Sequence, residues 1–261
     1  MKKILTLALL AITLLPQTAL AQYNSDEEEE KVFSAYVEAD LVSHYMWRGQ
    51  DRGSISIQPQ LGLKFWDFSF PATGNVGFDK DDEQEINLTL GYEKFGFNIG
   101  VTNYWQTGLD PENRYFHFDK TDTAHSLEGN LGYTCEYFSL QAYTKFWGND
   151  YKLDGKRAYS TYVELSVPFH ISDINIEAKV GITPFESAGK REYKGKTDDL
   201  GKPYAEPVYF YGENFTCNLI SVRATKTFHY RSFQFPIFAE LHTNPYLQKA
   251  NFLVGVGIVA F

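Results

Sequence analysis

Phe95-Gly96-Phe97-Asn98-Ile99-Gly100-Val101-Thr102 sets Phe95, Phe97, Ile99 and Val101 against Gly96, Asn98, Gly100 and Thr102. Apolar residues recur at every second position, which is the period of a strand and not of a helix. In 174–183, Ile174, Ile176, Ala178, Val180 and Ile182 oppose Asn175, Glu177, Lys179, Gly181 and Thr183. In 55–65, Ile55, Ile57, Leu61, Leu63 and Phe65 oppose Ser56, Gln58, Gln60, Gly62 and Lys64. Working outward from these gives twelve candidate strands: 33–49, 54–66, 68–78, 84–94, 95–106, 124–135, 138–148, 157–169, 174–185, 218–229, 233–244 and 250–261. A dozen alternating strands with almost no helical pattern predict an all-β chain. The expected form is a transmembrane antiparallel up-and-down β-barrel of about 12 strands, with lipid outside and a polar lumen inside.

The third strand is the weakest, since it contains Pro71 and Gly74. Pro59, Pro168 and Pro236 also fall in or near strands, and each marks an expected bulge or strand end because proline removes a ladder bond. The connections alternate in length. Short ones lie at 66–68, 94–96, 136–137, 170–173 and 230–232. Longer ones lie at 50–53, 79–83, 107–123, 149–156, 186–217 and 245–249. Short periplasmic turns opposite long external loops are the outer-membrane pattern, and an even strand count places both termini in the periplasm. Cys135 and Cys217 then fall at opposite rims and are expected not to pair.

Ahead of the strands, Lys2 and Lys3 precede an apolar run from Ile4 to Leu15, followed by Ala19-Leu20-Ala21. This is the pattern of a secretory signal over 1–21. Residues 22–31, with Asp26 and Glu27 to Glu30, read as a solvated acidic tail in the periplasm, and 32–261 as the barrel. No other stretch approaches the roughly 20 apolar residues of a membrane helix. The formal charge is -9, and loss of Lys2 and Lys3 with the signal leaves -11. That balance argues against a nucleic-acid partner. Tyr (18) and Phe (21) are abundant, which aromatic girdles at two membrane rims would account for, as would the aromatic core of a soluble β-sandwich. The final strand ends at Phe261, an aromatic terminus of the kind that barrel-insertion machinery reads.

If the apolar sets face lipid, the opposite sets line the lumen. The pore-lining candidates are Glu38, Asp40, His44 and Arg48 from the first strand, then Lys64, Glu128, Lys145, Glu164, Glu177, Lys179, Arg223, Glu240 and His242. Gln58, Gln60, Asn130, Tyr143 and Asn244 join them. Charges of both signs in a narrow barrel must pair or stay hydrated, because an isolated buried charge is very costly. These residues therefore read either as a salt-bridged plug or as a selective lining. Arg48 follows Tyr45-Met46-Trp47 where the first strand meets an external loop. A cation ringed by aromatics suits an anionic or aromatic solute, or a cap on a rim network.

Constellations for catalysis are weak. His125-Ser126 lies at an external strand end near Asp122, and His170-Ile171-Ser172 at a periplasmic turn. Sequence neighbours in a strand point to opposite faces, which separates such a Ser from its His. The 6 histidines show no metal spacing and no glycine-rich phosphate loop is present, so no cofactor is expected.

Tyr45-Met46-Trp47-Arg48-Gly49-Gln50 resembles the Tyr-x-x-Arg-Gly signature in the first strand of the TorF-type porin family. Further segments are similar to outer-membrane barrel proteins of Bacteroides type: Thr123-Ala124-His125 with Leu131-Gly132-Tyr133, 157–162, Gly181-Ile182-Thr183-Pro184-Phe185-Glu186, and Asn244-Pro245-Tyr246. These short motifs run in order along most of the chain. The resemblance implies a single porin-like barrel in the outer membrane, and carries over no substrate and no catalytic residue.

The leading functional expectation is a porin-like channel for passive passage of small polar solutes, surrounded by lipid and lipopolysaccharide. The second is a structural or adhesive barrel acting through its external loops, above all 186–217. That loop mixes Lys190, Arg191, Lys194 and Lys196 with Tyr193, Tyr204, Tyr209, Phe210 and Tyr211, as a lid or a solvated loop would. The third is a lipid-modifying enzyme. An open lumen favours the first, a lumen closed by paired charges the second, and a bonded Ser–His pair at the outer-leaflet level the third.

Overall fold

Sixteen strands appear in a computed structural model that describes residues 32–80, 82–107, 109, 112–119, 123–197 and 203–260. The expected signal and acidic tail (1–31), Asp122 and Phe261 lie outside the described residues. The strands are β1 (Phe33–Val42), β2 (Tyr45–Trp47), β3 (Gln50–Gly53), β4 (Ser56–Phe65), β5 (Phe68–Gly77), β6 (Glu85–Lys94), β7 (Phe97–Gln106) and β8 (His125–Thr134). They continue as β9 (Ser139–Gly148), β10 (Thr161–Ile171), β11 (Ile174–Thr183), β12 (Gly189–Thr197), β13 (Pro203–Tyr209), β14 (Thr216–Tyr230), β15 (Phe233–Asn244) and β16 (Lys249–Ala260).

Twelve of them, β1, β4 to β11 and β14 to β16, close into one antiparallel barrel in which β1 pairs with both β16 and β4. The remaining four form two hairpins, β2–β3 and β12–β13, which stand apart from the wall. The alternation decides which face each wall residue takes. Leu61, Leu90, Ile99, Leu131, Leu165, Val222, Ile237 and Val256 are exposed on the outside. Aromatic rings flank this belt at one rim (Phe65 tilted against Trp66, Phe68 against Tyr92, Phe97 against Tyr133) and again at the other (Phe78, Phe185, Phe215, Tyr246). A continuous apolar exterior between two aromatic girdles is stable only in a bilayer, so the barrel is transmembrane. No helix among the described residues is long and apolar enough to cross a membrane.

The short turns share one rim. Trp66, Phe95, Ser172 and Arg231 all take positive φ there, the backbone that two-residue hairpins require. Even strand number puts the described ends of β1 and β16 at that rim. The prolines interrupt pairing on one side of their strands. The β4–β5 register skips between Ile57 and Gln60 beside Pro59, β9 stops pairing at Ser166 before Pro168, and the β15–β16 register skips between Gln234 and Ile237 at Pro236. Cys135 and Cys217 are both free thiols.

Two expectations need correction. The first strand does not run unbroken over 33–49. It ends at Val42, and the chain then turns into the β2–β3 hairpin, with Arg48 (φ 47) and Gly49 (φ 83) at its tip. A left-handed pair cannot continue a strand, and local alternation does not reveal that Tyr45-Met46-Trp47 pairs with Gln50–Gly53 and not with the wall. The 186–217 segment is likewise not a plain loop, since it contains the β12–β13 hairpin.

Candidate functional site

The inward face of the wall divides by depth. Towards the short-turn rim, Lys64, Glu93, Thr134, Asn175 and His229 are exposed. Towards the long-loop rim, Asn75, Glu85, Gln106, Glu128, Tyr162, Asn218, His242 and Asn244 are buried. The lumen is therefore open at one end and filled at the other.

The filling comes from loops. The β2–β3 hairpin contributes Tyr45, Trp47, Arg48 and Arg52, and the segment after β13 contributes Phe210 and Tyr211. Asn244 Nδ2 donates to the Gly49 carbonyl at 3.0 Å, and Asn218 Nδ2 donates to the Tyr211 carbonyl at 2.7 Å. Ser187 Oγ accepts from the Tyr211 and Gly212 amides. Gln50 Nε2 donates to the Phe210 carbonyl, which joins the two loop elements to each other.

At the centre, Arg48 donates from Nη1 and Nη2 to the two Glu128 oxygens, each at 2.7 Å, and from Nη1 to Tyr211 Oη at 2.7 Å. Tyr104 Oη donates to Glu128 at 3.0 Å. Rings enclose the guanidinium, with Tyr143 at 4.1 Å, Trp47 at 4.5 Å and Tyr162 at 5.0 Å. Tyr162 and Tyr211 stack at 5.6 Å, and Trp47 and Tyr211 at 6.0 Å. A bidentate, ring-sandwiched arginine is a fixed group with all its charge compensated. A second cluster joins Arg52 to Glu83 and Glu85, with Tyr45 Oη and Gln106 Nε2 also donating to Glu85 at 2.8 Å.

Below this layer lies a polar cavity of about 340 Å³. Trp47, Arg48, Tyr104 and Tyr143 form its roof, and His44, Gln58, Glu164, Lys179, Arg223 and Glu240 are among its walls. Arg223 Nε donates to Glu240 at 2.8 Å, and His242 Nδ1 lies 3.0 Å from the same carboxylate. Lys179 pairs with Glu177 at 3.0 Å and approaches Glu164 at 3.8 Å.

The thirteen candidate residues thus separate into levels. Arg48, Glu128 and Lys145 belong to the filled layer, where Lys145 Nζ lies over the Phe210 ring at 4.3 Å. His44, Glu164, Lys179, Arg223, Glu240 and His242 surround the cavity. Glu38, Asp40 and Glu177 face inward below it, and Lys64 stands at the open mouth. Tyr104, Tyr162, Arg52 and Glu85 escaped the sequence reading. The inward parity of Tyr104, Tyr162 and Glu85 was available as a signal, but their meeting with the hairpin was not.

His125 faces outward with Asn103, beneath the loop after β7. Its ring nitrogens lie 3.1 Å from the Asn103 amide and 2.5 Å from the Tyr115 carbonyl, and Phe118 packs on its ring. Ser126, its neighbour, sits on the opposite face.

No family model matches this chain, and no curated protein matches it. Solved structures that align along its length are outer-membrane barrels. An outer membrane channel from Pseudomonas putida F1 has 12% identity and a TM-score of 0.41, covering 91% of this chain and 99% of the other. Outer membrane phospholipase A from Escherichia coli has 9% identity and a TM-score of 0.37, covering 91% and 95%. OmpF from Salmonella typhi has 8% identity and a TM-score of 0.33, covering 87% and 97%. These likenesses are too distant to bear on the site, whose reading rests on the contacts above.

Proposed function

We propose that the chain is an outer-membrane channel for small polar solutes, closed at its external end by its own loops. In the cell its short turns and both termini face the periplasm, and its belt contacts lipid and lipopolysaccharide. One observation carries this reading: the wall encloses a charged lumen, and what fills that lumen is a hairpin and a loop rather than wall side chains alone. A plug built from connections between strands can move without breaking any wall ladder, so the barrel stays intact while the passage opens. Lumenal charges on both sides of the cavity favour hydrated polar solutes over apolar ones.

The competing reading is a permanently plugged barrel that acts through its external loops. The buried bidentate Arg48–Glu128 pair favours it, because separating such a pair without a replacement partner is costly.

Planar-bilayer recording of the folded protein separates the two. The channel reading expects rare openings in the wild type and frequent or sustained ones after Arg48→Ala or Glu128→Gln. Folding is checked by the altered gel mobility of an unheated barrel. If both variants insert as folded barrels and neither passes current, the channel reading fails.

A further inference from the structure

Glu128 and Lys145 stand directly opposite each other in the wall. They are ladder partners on β8 and β9, which puts both side chains on the lumenal face with their Cβ atoms about 5 Å apart. A carboxylate and an ammonium so placed stabilise a sheet by pairing. Here they do not pair. Both Glu128 oxygens accept from Arg48, at 2.7 Å each, and Tyr104 donates to one of them at 3.0 Å. The Lys145 ammonium turns instead to the face of Phe210, 4.3 Å from the ring centroid, and makes no ion pair among the described residues. Both side chains are buried.

The two groups that keep them apart belong to the plug. Arg48 stands at the tip of the β2–β3 hairpin, and Phe210 follows β13. Arg48 also donates to Tyr211, the residue after Phe210, and Gln50 donates to the Phe210 carbonyl. The hairpin and the loop are therefore tied into one layer. Withdrawing that layer removes the partner of Glu128 and the cover of Lys145 in one movement. A buried carboxylate left alone is costly, and so is a buried ammonium, but opposite each other they compensate. Lysine suits this role because its ammonium is a point charge on a flexible four-carbon stem, which swings from ring to carboxylate by a change of rotamer.

We propose that Lys145 is the replacement partner of Glu128, taking its carboxylate when Arg48 and Phe210 leave the lumen. The handover rests on the channel reading, since it gives the plug a second state. It lowers the cost of separating Arg48 from Glu128, so that pair latches the closed state without forbidding the open one.

The test is urea unfolding of the full chain in lipid vesicles, with Arg48→Met/Phe210→Ala as the unlatched background. With the plug intact, Lys145→Met should change the folding equilibrium constant by less than about threefold, because the ammonium holds no carboxylate. In the unlatched background the same substitution should lower it by about tenfold or more. The gap between backgrounds should vanish when Glu128→Gln is added to both. Equal effects of Lys145→Met in the two backgrounds overturn the handover. So does a gap that survives Glu128→Gln, which would assign it to repulsion between Arg48 and Lys145. Folding is checked by barrel mobility on unheated gels, and Arg48→Gln/Phe210→Leu serves as the background if the first does not fold. The cycle reads the pairing whether or not current flows. Absence of current counts against the channel, and a background-independent Lys145 counts against the handover.

Discussion

Arg48, at the tip of an inward hairpin, and Glu128, on wall strand β8, are joined by two parallel hydrogen bonds of 2.7 Å with both side chains out of solvent. They are eighty residues apart in sequence, and their pairing fastens the loop layer to the wall. Arg48→Met leaves the buried Glu128 carboxylate without its guanidinium, with the Tyr104 hydroxyl still donating to it, and Glu128→Leu leaves the buried guanidinium without its carboxylate. Each should destabilise the folded barrel by about 3–5 kcal/mol. The double variant should cost clearly less than the two singles together, because guanidinium and carboxylate are then removed together. Urea unfolding in lipid vesicles across the four proteins measures the coupling, and strict additivity would refute it.

Gly49 tests the hairpin backbone. Its φ of 83 lies in the left-handed region, and a Cβ there would collide with the main-chain carbonyl of Asn218. Gly49→Ala should displace the tip, lower stability by about 1–3 kcal/mol and raise the open fraction in bilayer recordings. Unchanged stability would mean that the tip does not sit against β14.

The exterior belt gives a third expectation. Leu90 on β6 faces lipid, whereas Asn98 on β7 faces the lumen. Leu90→Arg should cost about 2–4 kcal/mol near the bilayer midplane. Asn98→Arg should cost far less, because the lumen is hydrated at its level. Equal costs in vesicle unfolding would contradict the assignment of faces.

The Asp82 carboxylate, in the external β5–β6 connection, is held below its ordinary value of 3.8. The Ser54 hydroxyl is the largest cause, donating at 2.7 Å, with help from the Ser54 and Asp79 amides. A depressed folded value stabilises this contact above pH 3.8, and the stabilisation is lost as pH falls through the lower folded value. Amide exchange at Ser54 and Asp79 should accelerate in that acid window. Asp82→Asn should remove the pH dependence, and an unchanged acid response in that variant would place its origin elsewhere.

The free thiols test orientation. Cys135 follows β8 at the short-turn rim and Cys217 is the second residue of β14 at the long-loop rim. An impermeant maleimide should reach Cys217 in intact cells, and Cys135 only once the outer membrane is opened. The reverse pattern would invert the proposed topology.

The wall was legible before any coordinates. Alternation at 95–102 and 174–183 assigned faces that the structure bears out, and alternating connection lengths sorted the rims. Strand ends were read less well. The 157–169 candidate became Thr161–Ile171, because Tyr159 takes a positive φ just before the strand. Tyr45-Met46-Trp47 was read as wall because three residues cannot disclose which partner they pair with.

Period-two alternation was enough to determine the barrel, its strand number and its two faces, since each follows from neighbours in the chain and a lipid exterior. Only the tertiary structure decided that the lumen is filled at one end and what fills it. Arg48 meets Glu128 and Asn244 holds Gly49 across gaps of 80 and 195 residues. Such contacts depend on how a closed sheet brings its loops to one mouth, and local periodicity carries no record of that.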